Sequence, residues 1–273
     1  MANRNVIIGA MLTGAVVVGA AIAVVVSSAE TPDKIDLSSI HTTEAPTTME
    51  ETTPPVTEPP AETSAAPAEN DAQSLTYTIA SYEADGKIRI EYPVIAQMSD
   101  TAKQDQLNQH LMDNALSLLK AWDAEKSTIE IKCQVPALSR KRITAVYTGY
   151  ASNEDAPHPV NLFYTNTLDL TTGNDLGFSD FADPYTMAGY VLSDDVQFDS
   201  TGSGSLADVL EERRLMDIDA YTKIFTDADF PFNAEEIWPT TFSYEKQGVI
   251  YFSIPINHAI GDYAIVRFTP DTK

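Results

Sequence analysis

Thirty consecutive residues, His41 to Asn70, hold eight threonines, six prolines and six glutamates, with no lysine, arginine or aromatic residue. Such a stretch has too little apolar surface to offset the entropy of ordering it, so no fold can be built through it. Repeated proline favours extended polyproline-II geometry, and like charges stiffen the chain further. Apolar patterning resumes only at Leu75. Residues 27–73 are therefore expected to be a disordered stalk and 74–273 a folded domain, long enough for a sizeable core.

Ahead of the stalk, Val6 to Val26 is an uninterrupted run of 21 apolar or small residues. As a helix it spans roughly 31 Å, close to the hydrocarbon thickness of a bilayer. Arg4 precedes it, and Glu30 and Asp33 come before the next basic residue, Lys34. That asymmetry predicts a signal anchor at 6–26 with a short cytoplasmic tail (1–5) and everything after it outside the cell. The alternative is a signal peptide cleaved after Ser27-Ser28-Ala29, which would make the protein secreted.

The formal charge of the whole chain is −23. Residues 1–73 carry 10 acidic and 2 basic side chains, a net of −8, and residues 74–273 carry 30 and 15, a net of −15. This balance excludes nucleic acid as a partner, because phosphate binding needs clustered Lys and Arg. It favours cationic partners. The single cysteine excludes an intramolecular disulfide and any zinc site built on cysteine pairs.

Within 74–273 the periodicity alternates between strand and helix in groups. Leu75 to Ile79 reads as a half-buried strand, Asp85-Gly86 as a hairpin turn, and Ile88 to Tyr92 as a strand closed by Pro93. Ser99 or Asp100 can cap a helix reaching about Trp122, with Leu107, Leu111, Ala115, Leu118 and Trp122 on one face. Strands are expected at Ile129–Val135, Ile143–Tyr150 and Val160–Leu170, the last ended by Thr172-Gly173. Ser179–Leu192 and Leu206–Phe225 look helical, with Ser203 or Ser205 capping the latter. The chain closes with strands at Thr240–Tyr244, Val249–Ile254 and Tyr263–Phe268. Strands in adjacent groups with helices between the groups predict an α+β domain whose sheet is mainly antiparallel with packed helices.

Chemistry-bearing residues are few. Cys133 shares the inward face of its strand with Ile131 and Val135, which marks a structural thiol. The histidines are His41, His110, His158 and His258; the last two can meet only through the fold, and no metal or cofactor is expected from one such pair. The acidic pairs Glu154-Asp155, Asp194-Asp195 and Glu211-Glu212 read as solvated surface. No phosphate-binding, dinucleotide or nucleophile-elbow motif occurs, so no catalytic residue is assigned. The most unusual local feature is Asp155-Ala156-Pro157-His158-Pro159, where two prolines hold a histidine extended between two strands.

Three ordered stretches resemble the extracytoplasmic domain of RsiV-type anti-sigma factors, a domain also attached to some peptidoglycan deacetylases. They are Ile88-Arg89-Ile90-Glu91-Tyr92-Pro93-Val94-Ile95 with Leu107-Asn108; Ala156-Pro157-His158-Pro159 leading to Asn166-Thr167-Leu168-Asp169-Leu170-Thr171-Thr172-Gly173-Asn174-Asp175-Leu176 and Asp180-Phe181; and Gly248-Val249-Ile250-Tyr251-Phe252 with Ile256 to Tyr263 and Val266. The resemblance implies an envelope setting and a binding or sensing role. RsiV-type domains bind lysozyme, a cationic protein, and a domain of net −15 suits such a ligand. With about five residues before the apolar run and none after Lys273, neither sigma regulation nor deacetylation is expected. A cell-wall component as ligand, an accessory or enzymatic role on wall glycan, and a structural envelope role stand as alternatives.

Loops on a rigid sheet concentrate binding residues. The ligand-contacting candidates are accordingly Tyr150, Glu154, Asp155 and His158 around one loop, and His258, Asp262 and Tyr263 around the other. Tyr164, near the first loop in sequence, is expected to fill the core instead.

Overall fold

The computed structural model describes residues 74–122, 125–153, 158–232 and 237–270. The anchor (6–26), the stalk (27–73) and the pair Glu154 and Asp155 lie outside the described residues. Among the described residues no helix is long and apolar enough to cross a membrane.

The fold is α+β and mainly antiparallel, as the pattern predicts. Its first sheet has the order β1-β2-β3-β4-β5-β6: Thr76–Ala84, Ile88–Ala96, Ser127–Leu138, Arg142–Asn153, Val160–Asp169 and Asp175–Leu176. All neighbours are antiparallel except β2 and β3, which run parallel over Ile88↔Ile129 to Ile90↔Ile131. A parallel pair needs a crossover, and helix α1 (Thr101–Leu116) supplies it. The β1–β2 turn is a primed one. Asp85 and Gly86 both have positive φ, 50° and 65°, and Lys87 N–H bonds back to Ala84 C=O at 3.2 Å.

Helix α1 starts where its cap dictates: the Asp100 carboxylate accepts the Lys103 N–H at 3.0 Å. Its stripe of Leu107, Leu111 and Ala115 is buried, and Leu118 continues it. The helix ends earlier than the expected Trp122. Past Leu116 the chain tightens into a 3₁₀ turn, Ser117–Lys120, and Trp122 packs only half-buried against the core.

Pro93 does not close β2, contrary to its sequence reading. The strand runs on to Ala96, with Pro93 paired opposite Ile79. Backbone direction explains this. Two residues on, Ile95 turns both its N–H and its C=O to the Asn108 side chain of α1, at 2.7 and 3.0 Å. Pro93 shares that orientation, so its missing N–H faces away from β1 and no bond of the β1–β2 ladder is lost.

The second sheet has the order β7-β10-β9-β8: Gln197–Ser200, Tyr263–Phe268, Val249–Pro255 and Ser243–Lys246. Neither β7, four residues long, nor the two-residue β6 was expected. Each is too short and too polar to give a periodic signal. Residues 240–242 lie outside β8, which begins only at Ser243.

Both long helical stretches are broken by caps. The first divides into α2 (Phe178–Phe181) and α3 (Pro184–Leu192), where Asp183 accepts the Thr186 N–H at 2.8 Å with Pro184 at the first helical position. The second divides into α4 (Leu206–Glu212) and α5 (Ile218–Thr226), with Asp217 accepting from Ala220 N at 2.8 Å. Ser205, not Ser203, caps α4, in a capping box with Asp208.

The core has two main parts. One lies between α1 and the first sheet: Ile88, Ile90, Ile129, Ile131, Tyr147 and Tyr164, with Tyr147 and Tyr164 stacked at 4.4 Å. Tyr164 is wholly buried as expected, and its hydroxyl donates to Ala115 C=O at 2.9 Å. The other lies between the second sheet and the short helices, around Phe178, Phe225 and Phe252. Each such aromatic contributes roughly 1.5–3 kcal/mol by burial. Fully buried Arg213 sits beside this second core, donating to the Val191 and Ser193 carbonyls at the end of α3 and so satisfying groups the helix leaves open. The sheets meet where the Thr165 hydroxyl of β5 donates to the Ser243 carbonyl of β8 at 2.5 Å, with Asp229 accepting from Ser243 alongside.

Candidate functional site

The two predicted loops meet. His158 stands just before β5, and His258 lies in the 3₁₀ turn His258–Ile260 between β9 and β10. A hundred residues separate them, yet their ring centroids are 6.2 Å apart at an interplanar angle of 36°.

Asp262 organises this junction. Its Oδ1 accepts from His258 Nδ1 at 2.7 Å, and its Oδ2 accepts from the Asn161 backbone N–H at 2.7 Å and from Asn161 Nδ2 at 3.1 Å. One carboxylate therefore fastens the β9–β10 turn to the first residues of β5. Its side chain is 14% exposed, whereas that of His258 is 46% exposed, so the acid is the half-buried support and the imidazole is the presented group.

Backbone geometry sharpens the turn. Gly261 and Asp262 both have positive φ, 119° and 71°. Behind them the loop Gly202-Ser203-Gly204 packs at backbone distance, with the N–H groups of Ser203 and Gly204 both donating to Ile260 C=O at 3.0 Å. A Cβ on Gly202 would meet Ile260 O at 2.7 Å, so only glycine permits this approach.

Tyr263 begins β10 and packs its ring on Phe163 of β5, with centroids 5.3 Å apart. Burial, and secondarily the Asp262 charge, push its hydroxyl above the ordinary tyrosine range. It is thus more a support than a free contact. Tyr150 of β4 lies directly across from Asn161 in the ladder, and its hydroxyl donates to Glu130 Oε2 at 3.3 Å. The fold thereby brings His158, His258, Asp262 and Tyr263 together and sets Tyr150 one strand away. Glu154 and Asp155 lie outside the described residues.

Sequence reasoning missed Asn161, Phe163 and the Gly202–Gly204 loop. The closely spaced glycines were a signal for close backbone approach; Asn161 and Phe163 carried none. It also missed a polar cluster at α1. Asp175, its side chain 4% exposed, takes bonds from His110 Nε2 (2.9 Å), Asn114 Nδ2 (2.9 Å) and Asn166 Nδ2 (2.7 Å), tying β6 to the helix. Cys133 is buried, and burial together with the Glu91 charge raises its thiol pKa well above the usual range, which suits a structural role. No three His, Cys, Asp or Glu side chains among the described residues converge to hold a metal ion.

No family model matches the chain. No curated protein matches it either. Among solved structures it is similar to the crystal structure of a DUF3298-family member from Bacteroides fragilis, at 10% identity and a TM-score of 0.37, over 71% of this chain and 88% of that one.

Proposed function

We propose that residues 74–273 form an extracytoplasmic binding module of the bacterial cell envelope. In this reading the 6–26 helix anchors the chain and the 27–73 stalk holds the module away from the membrane. The module presents the surface around His158 and His258 to a cationic protein such as lysozyme. The observation that carries the reading is that Asp262 fastens the turn bearing His258 to the start of β5, beside His158, with the two histidine rings 6.2 Å apart. The net charge of −15 on residues 74–273 supplies long-range attraction for a cationic ligand. The sequence resemblance to RsiV-type domains supplies the ligand class.

The test is lysozyme binding to the full-length chain in detergent micelles, with EDTA present, across a salt series. Affinity should fall as salt rises, because exposed carboxylates provide much of the attraction. His158→Ala, and separately a Glu154→Gln/Asp155→Asn variant, should each weaken binding about 10-fold with unchanged melting temperature. Parental affinity in both variants at low salt would remove this surface from the proposal. No lysozyme binding in the parent at any salt would remove the ligand.

A further inference from the structure

His258 is held in the arrangement that imidazole ligands of metal ions show. A carboxylate can only accept, so the 2.7 Å contact means that Nδ1 carries the proton and donates it to Asp262. The lone pair of the ring is therefore on Nε2, directed away from the acid. Metal-ligating histidines are positioned in this way, their second nitrogen fixed by a carboxylate that is itself hydrogen-bonded. Asp262 meets that description, since its other oxygen is taken by both nitrogens of Asn161.

The second imidazole stands at a matching distance. With metal–nitrogen bonds of about 2.1 Å, each ring centroid lies about 3.2 Å from the ion, and two imidazoles on one ion have centroids about 5–6.5 Å apart for angles from tetrahedral to near-linear. The observed separation of 6.2 Å falls at the wide end of that range. His158 is exposed, and tetrahedral coordination would require its side chain to turn toward His258. The acidic domain around the pair raises the local concentration of cations.

We propose that His158 and His258 together chelate one late first-row divalent cation, such as Zn²⁺, Ni²⁺ or Cu²⁺, with Asp262 as the positioning residue behind His258. Two imidazoles select these ions over Ca²⁺ and Mg²⁺, which require several oxygen ligands. Water completes the coordination, since both rings are solvent-facing. Sequence alone argued against a metal here, because nothing in it shows that the two histidines meet or that an acid backs one of them. The inference goes beyond the protein-binding reading and does not depend on it.

The experiment uses the full-length chain in detergent micelles, stripped of metal and moved to a non-chelating buffer at about pH 7.5 and about 0.15 M salt. Calorimetric titration with Zn²⁺ should show one saturable site per chain, with no equivalent heat from Mg²⁺. His158→Ala and His258→Ala should each weaken that site at least 10-fold, and Asp262→Ala should weaken it by about 10-fold. His41→Ala and His110→Ala should leave it unchanged. A second readout is Cu²⁺ electron paramagnetic resonance. The parent should show superhyperfine splitting from two imidazole nitrogens, and either histidine variant should show one. Thermal melts of the metal-free variants confirm that they fold. Undiminished Zn²⁺ binding in the His158→Ala/His258→Ala double variant, or no saturable site in the parent, would overturn the proposal. Either result leaves lysozyme binding, measured in EDTA, unaffected.

Discussion

Asp229 and Ser243 are joined twice: the aspartate accepts the serine backbone N–H at 2.6 Å and its hydroxyl at 2.5 Å. This double contact lies where the two sheets meet, and Asp229 is 2% exposed. Asp229 holds a left-handed backbone conformation, φ 66°, to reach it. Burial pushes its carboxyl up to about 7, against the hydrogen bonds from Ser243, which favour the charged form.

A pH signature follows. The folded-state value exceeds the unfolded value of about 3.9, so the native state holds this proton more tightly. The resulting stability is fully present below about pH 4 and is lost as pH rises through about 7. Asp229→Asn keeps an acceptor for the Ser243 N–H and does not titrate. The parent-minus-variant difference in unfolding free energy should therefore fall between pH 4 and pH 7, by an amount on the order of a few kcal/mol. Taking the difference cancels the other carboxylates. Asp169, Asp183 and Asp208 have pKa values lowered by nearby hydrogen bonds and act with the opposite sign. Parallel denaturation profiles for parent and variant across this range would show that Asp229 is ionised throughout.

Glycine substitutions separate strain from crowding. Gly86 and Gly202 have nearly equal φ, 65° and 67°, but a Cβ on Gly86 meets nothing within 4 Å whereas one on Gly202 meets two carbonyl oxygens below 3 Å. Gly86→Ala should cost about 1 kcal/mol, the left-handed penalty alone. Gly202→Ala should cost at least about 2 kcal/mol, because backbone must move. Urea denaturation compares the two. The added cost falls on the turn that carries His258, so Gly202→Ala should also weaken the proposed ligand contacts, whereas Gly86→Ala should not.

Arg213 offers a test of a buried cation without a carboxylate partner among its hydrogen bonds. It donates to the Val191 and Ser193 carbonyls, and its own carbonyl accepts from the Tyr221 hydroxyl at 3.0 Å. Arg213→Met keeps the bulk but leaves one buried and one half-buried acceptor, the Val191 and Ser193 carbonyls, without the guanidinium. It should destabilise by about 2–4 kcal/mol in chemical denaturation, with Arg213→Lys intermediate. A Met variant as stable as the parent would mean that water replaces the guanidinium at those carbonyls.

The legible parts of the fold were those with sustained periodicity. Ile129, Ile131 and Cys133 alternate over a strand that pairs along most of its length, and Leu107, Leu111 and Ala115 mark a helix face, so both elements were apparent from residue spacing. The errors lie where tertiary contacts override local preference. Pro93 stays in β2 because α1, through Asn108, takes over that edge of the strand. The Gln197–Ser200 strand exists because β10 pairs with it. For the candidate site, sequence could nominate His158 and His258 from their unusual loops. It could not bring them within 6.2 Å or place Asn161 beneath Asp262, since those relations depend on the packing of β5 against the β9–β10 turn.

Cys133 ties the sheet core to a chemical readout. Its Sγ is buried 3.8 Å from the Gln134 carbonyl, and its backbone N–H donates to the Glu91 carboxylate at 3.2 Å. Burial and that nearby negative charge both disfavour the thiolate, the form that reacts with alkylating agents. Alkylation of the native chain should therefore be far slower than that of the urea-unfolded chain at the same pH. Its rate should follow opening of the β3–β4 region and not the thiol's own ionisation. Cys133→Ala removes one buried sulfur from the packing around Ile131 and Tyr147 and should cost about 1–2 kcal/mol. The proposed lysozyme and Zn²⁺ contacts do not involve Cys133, so this variant should leave either one, where measured in the parent, unchanged. Fast alkylation under native conditions, matching the unfolded rate, would show that the thiol is open to solvent and would contradict the packing described here.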